Sequence, residues 1–233
     1  INNEATEFAP ELGNNLTRPT IIEAEAAELF CSIVKSCDMV KFCKNGSSAT
    51  SAAVRLARAF TGRNKIMRCA QHPFFSYDDW FIGSTVMNRG VAEDAKSDTL
   101  KFEFNNIKSI EKIITNNPNE IACIILEPAA TECPFLDDTG SCCGKSPCGK
   151  IATHENNFLK EVQALCKKNG IVFILDETIT GFRWSLSGAQ EIFGVSPDLT
   201  VFGKAMANGF SVAALGGKRD IMELGSIDVK NAE

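Results

Sequence analysis

Three groups of residues in this sequence could do chemistry together. Lys204 follows an apolar run in Val201-Phe202-Gly203-Lys204-Ala205, between small residues that let a ligand approach. A lysine desolvated at a strand end can lose its proton and become a nucleophilic amine; the plain alternative is a lysine facing solvent. Asp176 ends a second apolar run, Ile174-Leu175-Asp176-Glu177-Thr178. An acid there is costly unless it meets a cation or strong donors. It is therefore a metal ligand, a general base, the partner of a protonated ring nitrogen, or a loop acid bonded to nearby backbone. The third group is the polar turn Asn45-Gly46-Ser47-Ser48, placed between an apolar strand and a helix. Its N–H groups and hydroxyls at the positive end of a helix suit a phosphate, although Asn or Ser in that place is also commonly a simple N-cap.

The elements that hold these groups can be read from periodicity. Ile22, Leu29, Ile33 and Val34 recur at helical spacing over residues 20–36, and Met39 to Cys43 reads as a short strand. A helix through Ala52, Ala53, Leu56 and Ala57 stops at Gly62, and Lys65 to Cys69 is another strand. Residues 71–98 read mostly as an aromatic-rich loop. Strand and helix then alternate: Leu100 to Phe104 a strand, Ile107 to Ile114 a helix, Ile121 to Leu126 a strand, Glu155 to Lys168 a helix ended by Gly170, and Ile171 to Leu175 a strand. Strands apolar on both faces, separated by amphipathic helices, predict an α/β fold of three layers, helices covering both sides of a mostly parallel sheet. In such sheets ligands bind at the carboxyl ends of the strands, where Glu127, Asp176 and Lys204 all fall.

Composition sets the outer limits. The 233 residues allow one large core, or one domain with an arm, and the net charge of −5 includes no basic run long enough to track a nucleic acid. No apolar run reaches the length of a membrane span, and no export signal is visible. Of the ten cysteines, six lie in or beside apolar periodic segments and four (Cys133, Cys142, Cys143, Cys148) share one Gly/Ser/Lys-rich stretch. That stretch lacks the paired Cys-x2-Cys spacing of common zinc modules, so an insertion near the site is expected rather than a metal centre. Reduced thiols in a cytoplasmic enzyme are the expectation. The chain opens on Ile1 and is expected to be a piece of a longer protein, residues 1–18 forming an arm and residues 19–233 a large domain without a C-terminal small domain.

Taken together, an anion cradle, a strand-end carboxylate and a strand-end amine are the three things a pyridoxal 5′-phosphate (PLP) site requires. The resemblance to a family then becomes specific. Phe42 to Thr50, followed by Ala53-Val54-Arg55-Leu56-Ala57-Arg58, resembles the phosphate turn of class III aminotransferases. Asp176-Glu177-Thr178-Ile179-Thr180-Gly181-Phe182-Arg183 is similar to that family's Asp-Glu-x-x-Thr-Gly-Phe-Arg segment. Pro197 to Ala205 resembles its Pro-Asp-…-Gly-Lys segment, 28 residues separating Asp176 from Lys204. Leu126-Glu127-Pro128 matches its Glu-Pro pair and Val212 to Gly217 its small-residue segment. The likeness runs from about Pro19 to Leu224 and is nearest the glutamate-1-semialdehyde aminomutase branch.

That resemblance implies the large domain of the fold-type-I PLP-dependent transferases and a cofactor of PLP. Gly46 and Ser47 would hold its phosphate, Asp176 its pyridine nitrogen and Lys204 its reactive carbon as a Schiff base. Phe74 would stack on the ring and Glu127 would lie near it, unless Glu-Pro at a strand end is only structural. Lys204 and Asp176 would be the catalytic pair. Phe74 and Phe75 stand where the family's loop carries Tyr and His, and Asn45 and Ser48 stand where Ser and Glu are more usual. The implied partners are a small-molecule amino donor and acceptor and a second copy of the chain in a homodimer, with no nucleic acid and no membrane. The competing expectation is a truncated chain of the same fold that binds PLP or a partner without turnover.

Overall fold

The computed structural model describes residues 20–129, 133–134 and 157–225. In chain order these form α1 (Ile21–Ile33), β1 (Met39–Cys43), α2 (Gly46–Thr61), β2 (Lys65–Cys69), α3 (Asp79–Ile82), α4 (Glu93–Ser97), β3 (Thr99–Phe102), α5 (Ile107–Asn116) and β4 (Ile121–Leu126). There follow α6 (Phe158–Asn169), β5 (Val172–Glu177), α7 (Ala189–Phe193), β6 (Leu199–Phe202), a 3-10 turn (Lys204–Met206), β7 (Ala213–Gly217) and α8 (Arg219–Met222). The expected arm, residues 1–18, and Cys142, Cys143 and Cys148 lie outside the described residues.

The seven strands form one sheet in the order β1-β7-β6-β5-β4-β2-β3. β3, β2, β4, β5 and β6 run parallel, while β7 is antiparallel to both its neighbours. β4 and β5 are buried along their whole length, as runs without polar alternation require. Side chains alternate between the faces. Cys123, Ile125, Val172, Ile174, Leu199 and Val201 pack under Ala49, Ala53, Val54 and Ala57 of α2. Ile124, Leu126, Phe173 and Leu175 pack under Leu159, Val162 and Cys166 of α6 and Ile110 of α5. A third cluster joins Phe30 of α1 and Val34, just past its end, to Phe202 and Ala214. The three expected layers are present.

Local chemistry sets the boundaries. α1 starts where Thr20 Oγ1 accepts from Glu23 N–H (3.2 Å), and α6 starts at Phe158 rather than Glu155, because Asn157 caps it through Lys160 N–H (3.0 Å). β3 stops at Phe102, two residues short of the expected end, ahead of a left-handed turn at Asn105 (φ 57°). β5 runs on through Asp176 and Glu177, so both acids belong to the strand rather than to the loop after it. Residues 71–98 are mostly loop but hold the short α3 and α4. Pro134 C=O accepts from Phe158 N–H (2.9 Å), and Cys133 is packed in the α5–α6 core. Among the described residues no helix is long and apolar enough to cross a membrane.

Glu177 shows what period-two alternation does to two adjacent acids. Asp176 shares the face of Val172 and Ile174, whereas Glu177 points to the other side and is fully buried. There its carboxylate accepts from Thr180 Oγ1, from Ala189 N–H (2.8 Å) and from Gln190 N–H (2.8 Å), so it caps α7 from a distance. Burial pushes its carboxyl above the ordinary range, and the Thr180, Gln190 and Ala189 donors pull it back. Gly188 makes the approach possible: its φ is +85° and a Cβ there would stand 2.6 Å from Glu177 Oε1. Gly188→Ala is expected to destabilise the fold by at least about 2 kcal/mol, read as a lower denaturant midpoint with unchanged slope.

Candidate active site

At the carboxyl ends of the parallel strands lies a cleft of about 490 Å³. Its walls include all six residues singled out in the sequence: Gly46, Ser47, Phe74, Glu127, Asp176 and Lys204. They come from five separate places in the chain, and the sheet topology brings them together.

The first wall is the start of α2. Asn45 is its cap, accepting from Ser48 N–H at 2.9 Å, while Asn45 C=O accepts from Ala49 N–H at 3.2 Å. The cap and the anion seat are therefore compatible. Asn45 engages the third N–H of the first turn, and those of Gly46 and Ser47, ahead of it, are the ones a helix leaves without internal acceptors. α2 carries no acid in its first turn to compete with an anionic ligand.

The aromatic loop forms the second wall. Phe75 is buried, but Phe74 is half exposed, its ring edge-on to Phe81 at 5.6 Å. The loop is sewn to α2 by Thr50 Oγ1 donating to Phe75 C=O (2.8 Å), by a Ser51–Ser76 hydroxyl pair (2.8 Å) and by Trp80 Nε1 donating to Ser51 Oγ (3.0 Å). Behind Phe81 sits the buried Arg68, 5.0 Å from the ring centroid, its guanidinium donating to Ser84 Oγ (2.7 Å), Ser84 C=O (2.9 Å) and Cys69 C=O (3.0 Å). Burial pulls the Arg68 pKa below its usual value.

β4 and β5 form the floor. Asp176 is buried, with Oδ1 accepting from Thr178 N–H at 2.9 Å. Burial raises its carboxyl above the ordinary range, against the opposing pull of Thr178 and of the Lys204 charge. Glu127 is also buried; its N–H donates to His72 Nδ1 (3.0 Å), and its Oε2 has no hydrogen-bond partner among the described residues. Its carboxyl is pushed up to about 7, first by burial, then by the charge of Asp176, with Lys204 opposing. His72 lies between Phe75 and Phe104 and is pushed down to about 4, by burial and then by Arg68. It is neutral at pH 7, and because Nδ1 accepts, its proton sits on Nε2.

Lys204 opens the 3-10 turn after β6 with φ at +43°, a left-handed backbone costly for a residue with a Cβ. Its C=O accepts from Ala207 N–H (3.2 Å) and Asn208 N–H (2.9 Å), which fixes the turn. Among the described residues no hydrogen bond or ion pair engages its ammonium. Thr178 wedges between the three elements: a Cβ on Gly46 would come within 3.2 Å of Thr178 Oγ1, and one on Gly203 within 3.2 Å of its Cγ2. Among the described residues Thr178 Oγ1, like Glu127 Oε2, is buried with no partner in hydrogen-bond geometry, although the Thr178 side chain still lowers the Asp176 carboxyl. Sequence reasoning missed Thr178 and His72. The first had a signal, since an Asp commonly bonds the N–H two residues on; the second meets its partner 55 residues away and had none.

The start of a helix, an aromatic face, a buried carboxylate and an amine that no described residue engages thus converge on one cleft. The sequence matches the aminotransferase class-III family over residues 16–228, and the chain belongs to that family. Among curated relatives, the glutamate-1-semialdehyde 2,1-aminomutase of Chlorobaculum parvum is 39% identical over 229 residues, covering 93% of this chain and 49% of the relative. That of Chlorobium phaeobacteroides is 39% identical over 221 residues, covering 91% and 47%. The chain spans about half the length of the curated relatives it matches. Among solved structures, an omega-transaminase from Sphaerobacter thermophilus superposes with a TM-score of 0.77 at 26% identity, over 95% of this chain and 50% of that one. The PLP internal aldimine form of the FumI protein of a Sphingopyxis species gives 0.77 at 27% identity, over 95% and 49%.

The His72–Glu127 contact gives a direct expectation. His72→Leu keeps the bulk but strands the buried Glu127 N–H, and should cost about 1–3 kcal/mol in unfolding free energy, with faster amide hydrogen exchange at Glu127 than in the parent.

Proposed function

We propose that this chain is the cofactor-binding half of a PLP-dependent enzyme of amino-group transfer, an aminotransferase or an aminomutase of the glutamate-1-semialdehyde type. The observation that carries the reading is the convergence of Lys204, Asp176 and the start of α2 on one cleft that also holds two unpartnered buried polar atoms, Glu127 Oε2 and Thr178 Oγ1. The residues present fit the cofactor. Gly46 keeps the first turn of α2 open, a buried acid waits for a cation, and a flat ring stands at the wall.

In this reading the N–H groups of Gly46 and Ser47 hold the phosphate, helped by the helix dipole, a contribution of about 0.3–2 kcal/mol. Asp176, as a carboxylate, would accept a hydrogen bond from the protonated ring nitrogen and so keep the proton on that nitrogen. Phe74 packs against the ring and excludes water from one side. When bound, PLP supplies a carbonyl that condenses with amines and an electron-poor ring that takes up the electrons left when the amine's carbon gives up a proton. Lys204 Nζ would be the amine that holds the cofactor, and when free it would carry that proton as base and then as acid. Lys204 has a left-handed backbone and lines the cleft. The amino donor and acceptor are small molecules, and the working unit is a homodimer.

The test is an absorbance scan of the protein with PLP before and after borohydride, for the parent and Lys204→Ala. The parent is expected to show a visible-range band that reduction fixes covalently, and the variant to show neither. In the parent, an amine half-reaction should outrun that of Lys204→Ala by about 10²–10⁴-fold. A parent protein that develops no band overturns the proposal.

A further inference from the structure

Among the described residues three buried side-chain polar atoms lack a hydrogen-bond partner, and two of them line the cleft. Of these, only Glu127 Oε2 belongs to an ionisable group. Glu127 is held by its backbone on a histidine that cannot neutralise it, since His72 is buried and uncharged at pH 7. Arg68, the nearest fixed cation behind that histidine, is engaged with Ser84 and with Cys69 C=O.

The charged groups lining the cleft come from each element around it: Glu127 from the end of β4, Asp176 from β5, Lys204 from the turn after β6, and Lys44 from the β1–α2 junction. The two acids are not equivalent. Asp176 already has a donor in Thr178 N–H, whereas Glu127 Oε2 has none, so a single proton shared between them resides on Glu127. With that proton in place the cleft carries two lysines against one acid; without it the charges cancel.

We propose that Glu127 is a proton-dependent gate on occupancy of the cleft: protonated, it donates a hydrogen bond to the occupant and leaves the cleft net positive; ionised, it repels a phosphate-bearing ligand. This rests on the cofactor reading above and goes beyond it, since it gives the site a pH response of its own. The sign follows from the raised carboxyl, about 7 rather than the ordinary 4.5. Glu127 is protonated on the acid side of neutrality and charged on the alkaline side, so affinity for the anion falls as pH rises through neutrality.

The experiment compares binding of pyridoxamine 5′-phosphate, which has no carbonyl to react with Lys204, to the parent and to Glu127→Gln. Gln keeps the shape and the donor of the protonated acid, and taking the ratio of the two dissociation constants at each pH cancels the ligand's own titration. The ratio of parent to variant should lie near unity at about pH 5.5 and climb to on the order of 10 by about pH 8.5. Carbon NMR of the unliganded parent should place the Glu127 carboxyl midpoint near 7. A ratio that stays flat while both proteins bind, or a midpoint in the ordinary carboxylate range, overturns the gate and leaves the cofactor reading standing. No binding by either protein at any pH overturns both.

Discussion

A carboxylate buried at the end of an apolar strand is the constraint around which this site is built. Asp176 lies on the face of β5 that carries Val172 and Ile174, and only a small part of it faces the cleft, so little water is at hand to offset its charge. A buried charge persists only with donors or a cation. Against burial act the Thr178 side chain, the Thr178 backbone N–H and the charge of Lys204, and the carboxyl still ends above its ordinary range. The unfilled part of that demand points to a cationic group on the ligand. The neighbouring Glu177 has its demand met from inside, by Thr180 and the first N–H groups of α7, and so has nothing left to offer a ligand.

Close packing makes the demand local. Three chain segments meet at Thr178, and glycine at positions 46 and 203 is what lets them come so near. The first turn of α2 is thereby fixed relative to Asp176, and the hydroxyl pair Ser51–Ser76 with Trp80 fixes Phe74 relative to the same turn. A ligand that spans phosphate seat and buried acid meets groups whose separation is set by core packing rather than by loops, which favours tight, oriented binding over adaptable binding. Glu127 adds a second buried acid, held from behind by a neutral histidine, and in the proposal above it makes occupancy of the same cleft respond to pH.

Much of this was legible in the sequence because strand ends announce themselves. An unbroken apolar run followed by Asp176 or by Gly203-Lys204 marks both the carboxyl end of a buried strand and the group placed there, and the helices between the runs fixed the class of fold. β7 was harder to see: Ala213-Ala214-Leu215-Gly216-Gly217 has neither β-branched residues nor polar alternation, and only its place in the sheet, antiparallel between β1 and β6, shows it to be a strand. The opposite fates of Asp176 and Glu177 follow from period-two alternation, but the donors that satisfy Glu177 come from a short helix that sequence reading did not anticipate. His72 was out of reach altogether. Its partner is brought to it by the pairing of β2 with β4, and no local pattern marks a histidine that will accept from a backbone N–H far along the chain.

In the proposed reading Asp176 remains an anion because a ligand cation neutralises it. Nitrogen NMR of PLP labelled at the ring nitrogen, bound to the parent and to Asp176→Asn, tests this most directly. The account predicts a protonated ring nitrogen in the parent from about pH 6 to about pH 8, and an unprotonated one in the variant over the same range. An unprotonated nitrogen in the parent, or the same signal in both proteins, would contradict it.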